Sequence, residues 1–255
     1  MNIKIIVAAH KVAKVPQNPI YFPVQVGAYG KESIGFVRDD SSDNISEKNP
    51  YYCELTGVYW AWKNIDCDVI GLVHYRRYFG HNNKDDFYAG VLTEQEIETL
   101  LSKYDVILAK PRNYYIESIK THFHNHLKVF TDIDYISYLK ETLLTLYPEY
   151  IESYNRCFSR TKAHMCNMFV MRKDEFDKYC AWLFTILEYM ELHHGEFTSS
   201  EQMPRIYGFV SELLLDVYVD KNHLNYYEQR VIEMDTQSFF VKSFNFCKRK
   251  FLGVK

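Results

Sequence analysis

The sequence lacks the short motifs that mark the common nucleotide-binding and hydrolase folds. No GxGxxG motif follows the first predicted strand and no GxxxxGK[ST] loop occurs, so neither a dinucleotide-binding fold nor a P-loop is indicated. GxSxG and HExxH are absent as well. There is also no clear DxD pair at the end of a central strand, where two carboxylates could hold a divalent metal. Asp66-Cys67-Asp68 has this spacing but precedes a strand, which favours a turn.

Excess positive charge, long apolar runs and paired cysteines are also missing. The formal net charge is −3, which argues against nucleic acid as a partner. No segment approaches the apolar length of a membrane span, and the first ten residues do not resemble a signal peptide. The six cysteines are scattered without a CxxC pair, as is typical of free thiols in a reducing compartment. We therefore expect a cytoplasmic protein.

The first half of the chain alternates between strand and helix patterns, which predicts an α/β fold. Lys4–Ala9, Val69–Val73 and Tyr104–Ala109 are short apolar segments typical of buried strands. Thr93 and Glu96 have the spacing of a capping box at the start of a helix. We expect a mixed central sheet flanked by helices, and the apolar fraction of 47% is ample for its core.

The second half contributes further helices and one more strand. A helix is predicted to begin at Asn49-Pro50, because proline suits the first helical position. Helical patterns also cover Asp132–Tyr147, a long segment after Asp174, and Gly208–Val219. The apolar segment Ala163–Met171 is predicted to be a buried strand.

One strand opens directly into a basic and aromatic sequence. Ile70–Phe79 reads IGLVHYRRYF and places Arg76 and Arg77 at the carboxyl end of the predicted strand. Ligands of open α/β sheets bind beyond the carboxyl ends of strands, and guanidinium groups suit bidentate recognition of phosphate. This pattern predicts an anion site, for which a nucleoside diphosphate is the preferred ligand. Solvated arginines and aromatic packing at a strand end are the alternative.

Two segments together resemble a known family. Asn44–Asn64, NISEKNPYYCELTGVYWAWKN, followed by IGLVHYRRYF, is similar to the signature of domain-of-unknown-function family 4422, and the similarity continues in Cys166–Phe184 and Arg205–Val219. This family is associated with capsular and exopolysaccharide synthesis and is regarded as glycosyltransferases of GT-A type. The resemblance implies a GT-A-like fold and transfer of a sugar from a nucleoside diphosphate to a bacterial surface glycan. Some relatives are associated with galactofuranose transfer, so UDP-galactofuranose is a candidate donor.

The resemblance also suggests how the HYRR sequence could act. In GT-A folds the corresponding strand end normally carries a DxD pair and a metal. Arg76 and Arg77 could neutralise the departing diphosphate directly. His74 could add a hydrogen bond or bind a metal, and the sequence leaves both open. No metal is assigned, and manganese or magnesium stays a candidate cofactor.

Further candidates for donor binding lie near the first strand and before the first helix. The first strand resembles the uridine-binding start of GT-A enzymes, which makes Ala8 and His10 at its carboxyl end candidates for donor binding; a solvated strand end explains His10 equally well. Asp43 and Asn44 could hydrogen-bond ribose or base, and loop polarity is the alternative. Asn167 lies in the predicted strand Ala163–Met171, where a contact to donor or acceptor and a bond to the backbone are both open.

The second half of the chain supplies the candidate catalytic base. An inverting transferase needs a carboxylate to deprotonate the acceptor hydroxyl. Glu212, in the segment RIYGFVSELLL, is preferred over Glu201 and Asp216, and Arg205 is a further candidate for donor binding. A carboxylate that interacts with the dipole at a helix start is the alternative for Glu212.

Two polar segments have candidate roles on the acceptor side. His122, His124 and His126 alternate and would share one face of a strand, as a metal site or as an acceptor-side loop. Residues 239–255 mix aromatic and basic side chains without an acid, which favours contact with an anionic membrane surface. A packed C-terminal segment is the alternative.

We therefore expect two parts, a GT-A-like transferase domain over residues 1–238 with a helical acceptor-side region, and the tail 239–255. The expected partners are a nucleoside diphosphate sugar and a glycan or lipid-linked oligosaccharide acceptor. The protein would act at the inner face of the cell membrane. A non-catalytic nucleotide- or glycan-binding protein on the same fold is the rival hypothesis.

Overall fold

The computed structural model describes residues 1–83, 86–193 and 203–234. Their strands are β1 (Ile3–Ala9), β2 (Tyr21–Gln25), β3 (Val37–Arg38), β4 (Val69–His74), β5 (Arg77–Phe79), β6 (Val106–Ala109), β7 (Arg112–Asn113), β8 (Lys162–Ala163), β9 (Phe169–Arg172), β10 (Tyr226–Gln229) and β11 (Val231–Glu233). Their α-helices are α1 (Asn49–Tyr52), α2 (Leu55–Asn64), α3 (Glu94–Leu101), α4 (Ile119–Lys128), α5 (Tyr135–Leu146), α6 (Ile151–Ser159), α7 (Lys173–His193) and α8 (Ile206–Lys221).

The strands build one central mixed sheet in the order β10-β6-β9-β4-β1-β2-β3. All neighbours on this path pair in parallel except at β9, which runs antiparallel to both β4 and β6. β5 and β11 extend the sheet beside the end of β4, and β7 pairs with β8 in a separate small sheet. The predicted α/β fold with a mixed central sheet flanked by helices is confirmed.

Alternating side chains of β1 explain why the sheet is covered on both faces. Ile6 and Ala8 belong to the larger apolar cluster, which packs against α2 and α4 to α8. Ile5 and Val7 point to the opposite face and join the smaller cluster, which includes Ile97 of α3. Each face therefore has its own apolar core, and the polar candidate residues lie at the edge of the sheet.

The predicted segments differ from the structure at three places. The helix predicted from Asn49 is two helices, because the backbone turns at Cys53, which has φ 53°. The apolar segment predicted as one strand over Ala163–Met171 is interrupted between β8 and β9. The segment with His122, His124 and His126 is the helix α4 rather than a strand.

One local prediction is confirmed, and several others concern residues that the structure does not describe. The capping box of Thr93 and Glu96 is confirmed, with both reciprocal hydrogen bonds present at the start of α3. Glu201 and the tail 239–255 lie outside the described residues, and so does the end of the predicted domain at residue 238. None of the described helices combines the length and hydropathy that crossing a membrane requires.

Candidate active site

A cleft of about 660 Å³ lies at the edge of the sheet where the parallel strands end. Its volume falls within the usual range for small-molecule sites. The end of β1, the turn after β4 and the segment before β9 meet here, because β9 runs in the opposite direction to its neighbours. The lining residues are Ala8, His10, Val26, Asn49, Pro50, Cys53, Glu54, His74, Tyr75, Arg76, Arg77, Cys166, Arg205, Glu212 and Glu233.

The HYRR sequence forms a tight hairpin at this edge. His74, the last residue of β4, pairs with Arg77, the first residue of β5, so that Tyr75 and Arg76 make the turn. Arg76 is exposed and its guanidinium lies 4.9 Å from the centroid of the Tyr75 ring. Arg77 Nε lies 3.4 Å from Glu233 Oε1 on β11. The hairpin therefore presents two neighbouring guanidinium groups to the cleft.

Cys166 links this hairpin to the other side of the cleft. His74 Nε2 lies 2.7 Å from the carbonyl oxygen of Cys166, and a carbonyl can only accept, so Nε2 carries the hydrogen. Arg77 Nη1 lies 3.7 Å from Cys166 Sγ. The backbone N–H of Cys166 donates to the carboxyl group of Glu212. One residue thus holds the basic hairpin and an acidic group in a fixed arrangement.

Left-handed backbone conformations concentrate around the cleft. Cys166 has φ 75° and the neighbouring Asn167 has φ 53°, and Cys53 and Arg205 are left-handed with φ 53° and 67°. Such conformations are unfavourable for residues other than glycine, and they cluster at functional sites. The apolar sequence around Asn167 gave no sign of this turn, which is why it was predicted to be part of a strand.

Glu212 occupies the first turns of α8 and reaches the cleft half-buried. Burial and the neighbouring carboxylate of Glu54 raise the pKa of Glu212 to about 7, against the opposing effects of the Cys166 N–H, Arg112 and Arg205. A carboxyl group with such a pKa can both accept and release a proton near neutral pH.

Arg205 precedes α8 and forms another wall of the cleft. Its guanidinium lies 5.1 Å from the ring centroid of Phe209 and hydrogen-bonds the thiol of Cys53. α8 comes close to this wall, because a Cβ at Gly208 would lie 3.2 Å from Cys53 Sγ. Glycine at this position therefore lets the helix that carries Glu212 approach the turn at Cys53.

Asp39, which the sequence analysis missed, organises the loop after β2. It is fully buried, and its two carboxylate oxygens accept from the backbone N–H groups of Gly27 and Ala28 and from the hydroxyls of Ser46 and Thr56. A Cβ at Gly27 would lie 2.2 Å from Asn49, which lines the cleft, so this position requires glycine. Asp39 thus fixes the loop that packs against Asn49 of the cleft.

The comparison of sequences decides the family. The family described as "Domain of unknown function (DUF4422)" matches residues 4–223, which is most of the chain. The chain belongs to the DUF4422 family. This confirms the resemblance that the HYRR segment and the preceding helix segment indicated. No match was found among the curated proteins.

A solved structure shares the fold of this DUF4422 chain. The apo structure of WbbM, a bifunctional glycosyltransferase, superposes with a TM-score of 0.77 at 29% sequence identity. The match covers 92% of this chain and 46% of the WbbM chain. The chain therefore spans less than half the length of this relative.

Most of the residues singled out from the sequence of this DUF4422 chain meet in the cleft. Ala8, His10, His74, Arg76, Arg77, Arg205 and Glu212 all line it. Asn167 is buried directly behind it and binds Glu54. Burial, Lys11 and Arg76 lower the pKa of His10, which keeps its ring neutral at neutral pH.

Asp43 and Asn44, like Asn167, are predicted donor-binding residues that do not line the cleft. Asp43 Oδ1 accepts from the Tyr59 hydroxyl at 3.2 Å, and Asn44 Oδ1 accepts from the backbone N–H of Ser46. Lining residues that the sequence analysis did not single out include Cys53, Glu54, Cys166 and Glu233. The segment NPYYCELTG is the one signal that could have pointed to Glu54.

Asp216, the alternative to Glu212 on α8, has a structural partner instead. It accepts from His164 Nδ1 and, at 3.1 Å, from the His164 backbone N–H. It does not line the cleft. Burial lowers the pKa of His164, but Asp216 and Glu228 more than offset this, so the pKa is raised. This ion pair contributes stability below the normal histidine pKa and loses it as pH rises through the raised value.

We therefore expect Asp216→Asn to lower the free energy of unfolding by about 2 kcal/mol, because it removes the carboxylate that hydrogen-bonds the buried His164 and leaves only Glu228 beside the ring. Urea unfolding of both proteins at about pH 6 and about pH 9 checks this, and the difference should be larger at the lower pH. Equal stability of wild type and variant at both pH values would contradict this role of Asp216.

The three histidines of α4 are distributed over the helix surface. His122 Nδ1 lies 2.8 Å from Glu117 Oε2, and His124 Nδ1 lies 3.8 Å from Asp134 Oδ1. His122 and His126 are stacked one turn apart, with ring centroids 6.4 Å apart. In the described part of the chain, His, Cys, Asp and Glu side chains form no group of three that could hold a metal ion.

Proposed function

We propose that this chain is a glycosyltransferase that moves a sugar from a nucleoside diphosphate to a glycan acceptor. The observation that carries the proposal is the pairing, within one cleft, of the Arg76-Arg77 hairpin with a carboxyl group whose pKa is raised to about 7. The family and the similarity to part of the glycosyltransferase WbbM support it. A sugar diphosphate needs cationic groups at its phosphates and a base beside its anomeric carbon.

The donor would lie across the carboxyl end of β1 with its diphosphate at the hairpin. Ala8 and His10 border this end of the cleft, and the ring of His10 meets the ring of Tyr75 edge-on at 5.3 Å. A neutral His10 can hydrogen-bond a base or ribose, and because it carries no charge it does not compete with Arg76 and Arg77 for the phosphates. We favour a UDP-linked donor, with UDP-galactofuranose as the first candidate.

In the proposed reaction Glu212, in its carboxylate form, takes the proton of the acceptor hydroxyl. The hydroxyl oxygen then forms a bond to the anomeric carbon while the bond from that carbon to the diphosphate oxygen breaks. Attack from the face opposite the leaving group inverts the anomeric configuration. The electron pair of the broken bond stays on the nucleoside diphosphate, whose growing charge Arg76 and Arg77 stabilise.

A row of flat side chains suggests where the acceptor glycan lies. The rings of Tyr114 and His122 are 3.9 Å apart, and His126 packs edge-on against Phe209, below the guanidinium of Arg205. Burial and the neighbouring His122 lower the pKa of His126 and keep this ring uncharged at neutral pH. Uncharged rings suit the apolar faces of sugars. The acceptor would be a lipid-linked oligosaccharide of a surface polysaccharide, with membrane contact through residues 239–255.

The side chains at the end of β4 do not suit a divalent metal. Magnesium and manganese prefer oxygen ligands, whereas this position carries His74, Arg76 and Arg77, with His74 Nε2 committed to the carbonyl of Cys166. The guanidinium groups would therefore supply the charge that a metal supplies elsewhere. No step of the proposed reaction uses a metal.

We expect transferase activity to persist in excess EDTA, because arginine side chains stay charged in the presence of a chelator. Initial rates with and without EDTA, followed by addition of manganese, check this. Complete loss of activity in EDTA and its return with manganese would contradict the metal-free reaction.

The rival hypothesis, a non-catalytic binding protein, predicts affinity without product. Incubation of the chain with a UDP-sugar, followed by quantification of free UDP, separates the two. Release of UDP that depends on Glu212 supports a transferase, and tight binding of UDP-sugars without any release supports the rival.

A further inference from the structure

Two carboxyl groups from different elements meet beside the turn that precedes β9. Glu54 lies at the start of α2 and Glu212 near the start of α8, and both line the cleft. Glu54 is the neighbouring charge with the largest effect on Glu212. Two carboxylates in one cleft repel each other when both are charged, so the charge of Glu54 disfavours loss of the proton from Glu212.

The turn Cys166-Asn167 gives each carboxyl group its own donor. The backbone N–H of Cys166 donates to Glu212, while Asn167 Nδ2 donates to Glu54 Oε1 at 2.8 Å. Both residues of the turn are left-handed, so its conformation is specific rather than extended. Two adjacent residues thus hold the two carboxyl groups next to each other.

The orientation of the Asn167 amide is fixed by its other partner. Nδ2 also lies 3.2 Å from the carbonyl oxygen of Gly208, which can only accept. Both hydrogens of this nitrogen are therefore used, one toward Gly208 and one toward Glu54. The side chain is buried, so this donor is directed at Glu54 in a site where water competes weakly.

We propose that Glu54 and Glu212 act as a coupled pair of carboxyl groups, in which Asn167 holds Glu54 in the cleft beside Glu212. Glu54 is then a positioning residue, which sets the pH at which Glu212 becomes a carboxylate. The use of that carboxylate as a base rests on the proposed function, but the pair itself does not.

The remaining charged and titratable groups around Glu212 fit this assignment. Arg112 and Arg205 favour its charged form but do not outweigh burial and Glu54, since the pKa is raised. The thiols of Cys53 and Cys166 and the hydroxyl of Tyr114 also face it, and burial raises the pKa of each of these three, so they stay neutral. Glu54 is therefore the neighbouring charge whose removal should change the titration of Glu212 most.

The test is a titration of the carboxyl groups in the full chain, labelled with carboxyl-¹³C glutamate and followed by NMR between about pH 5 and about pH 9. Wild type should show one signal with a midpoint near pH 7 that is missing from Glu212→Gln. In Glu54→Gln the midpoint of this signal should fall by about one pH unit. Glutamine keeps the oxygen that accepts from Asn167, and Glu54 makes no side-chain cap bond to α2, so the fold should be retained.

Three comparisons complete the experiment. Glu54→Asp keeps the charge and should leave the midpoint near that of the wild type. Glu233→Gln removes a carboxylate that lines the same cleft but pairs with Arg77, and should also leave it unchanged. Asn167→Ala, which removes the donor to Glu54, should lower the midpoint, because Glu54 is then no longer held beside Glu212.

An unchanged midpoint in Glu54→Gln would overturn the pair. The acid limb of turnover against pH provides a separate readout of the base. The NMR midpoint of Glu212 could shift in Glu54→Gln while the acid limb of the turnover profile does not. That result would support the coupled pair but rule out Glu212 as the catalytic base. If both shift together, the pair sets the pH dependence of the reaction.

Discussion

Glu212→Gln is expected to lower kcat by about 10²- to 10⁴-fold while leaving the affinity for UDP near that of the wild type. Glutamine keeps the shape of the side chain and can still accept from the Cys166 N–H, so the cleft should be preserved. It cannot accept a proton, and proton removal from the acceptor hydroxyl occurs only on the way to the transition state. Glu212→Ala should therefore be about as damaging as Glu212→Gln.

Asp216→Asn is the matched control, because Asp216 lies one helical turn further along α8 and outside the cleft. It should lose stability but keep its turnover once folded. A helix-start role for Glu212 predicts a change of only about 0.3–1 kcal/mol in stability and almost normal turnover. Turnover of Glu212→Gln within about threefold of wild type, far below the range for base catalysis, would remove Glu212 from the mechanism.

Arg77→Ala is expected to weaken UDP binding by at least about 1.5 kcal/mol, or about tenfold in Kd. The guanidinium of Arg77 lines the cleft and is held near Glu233 Oε1 and Cys166 Sγ, so it is already positioned for a phosphate. Arg77→Lys should restore only part of the loss, because lysine lacks the planar donor fork. Isothermal titration calorimetry with UDP measures each value.

Two variants make this result specific to the site. Removing Arg77 leaves Glu233 without this cationic partner, so Arg77→Ala combined with Glu233→Gln separates the lost contact from added repulsion. Arg156→Ala removes the same charge from the surface, where Arg156 pairs with Asp220, and should leave UDP affinity unchanged. Normal affinity in both Arg76→Ala and Arg77→Ala, with the fold intact, would rule out the arginine site for the diphosphate.

The sequence predicts the frame of this site better than its details. Apolar segments of strand length identified β1, β4 and β6. Parallel strands place their carboxyl ends at one edge, which is why His10 and Arg77, each predicted separately to bind the donor, line the same cleft. The helix predicted over Gly208–Val219 corresponds to α8, which places Glu212 in the same cleft. These predictions depend on local periodicity and on the geometry of parallel sheets, both of which a sequence records.

The residues that were missed depend on contacts between distant segments. Nothing in the local pattern indicates that Cys53, Cys166 and Asn167 adopt left-handed conformations. Such positions are usually occupied by glycine, and none of these three residues is a glycine. Glu54 therefore seemed to lie inside a continuous helix, and Asn167 inside a strand. Glu233 enters the cleft only because β11 pairs with β5, a pairing that no motif indicates.

The most direct test of the central claim is the release of UDP from a panel of UDP-sugars by the full chain, quantified by chromatography. UDP-glucose, UDP-galactose, UDP-N-acetylglucosamine and UDP-galactofuranose would be compared, with water or an added glycan as acceptor and Glu212→Gln as the control. We predict release of UDP from at least one donor by the wild type and its near absence in Glu212→Gln, although that variant binds UDP normally. Equal background release by both proteins from every donor would contradict the assignment as a glycosyltransferase.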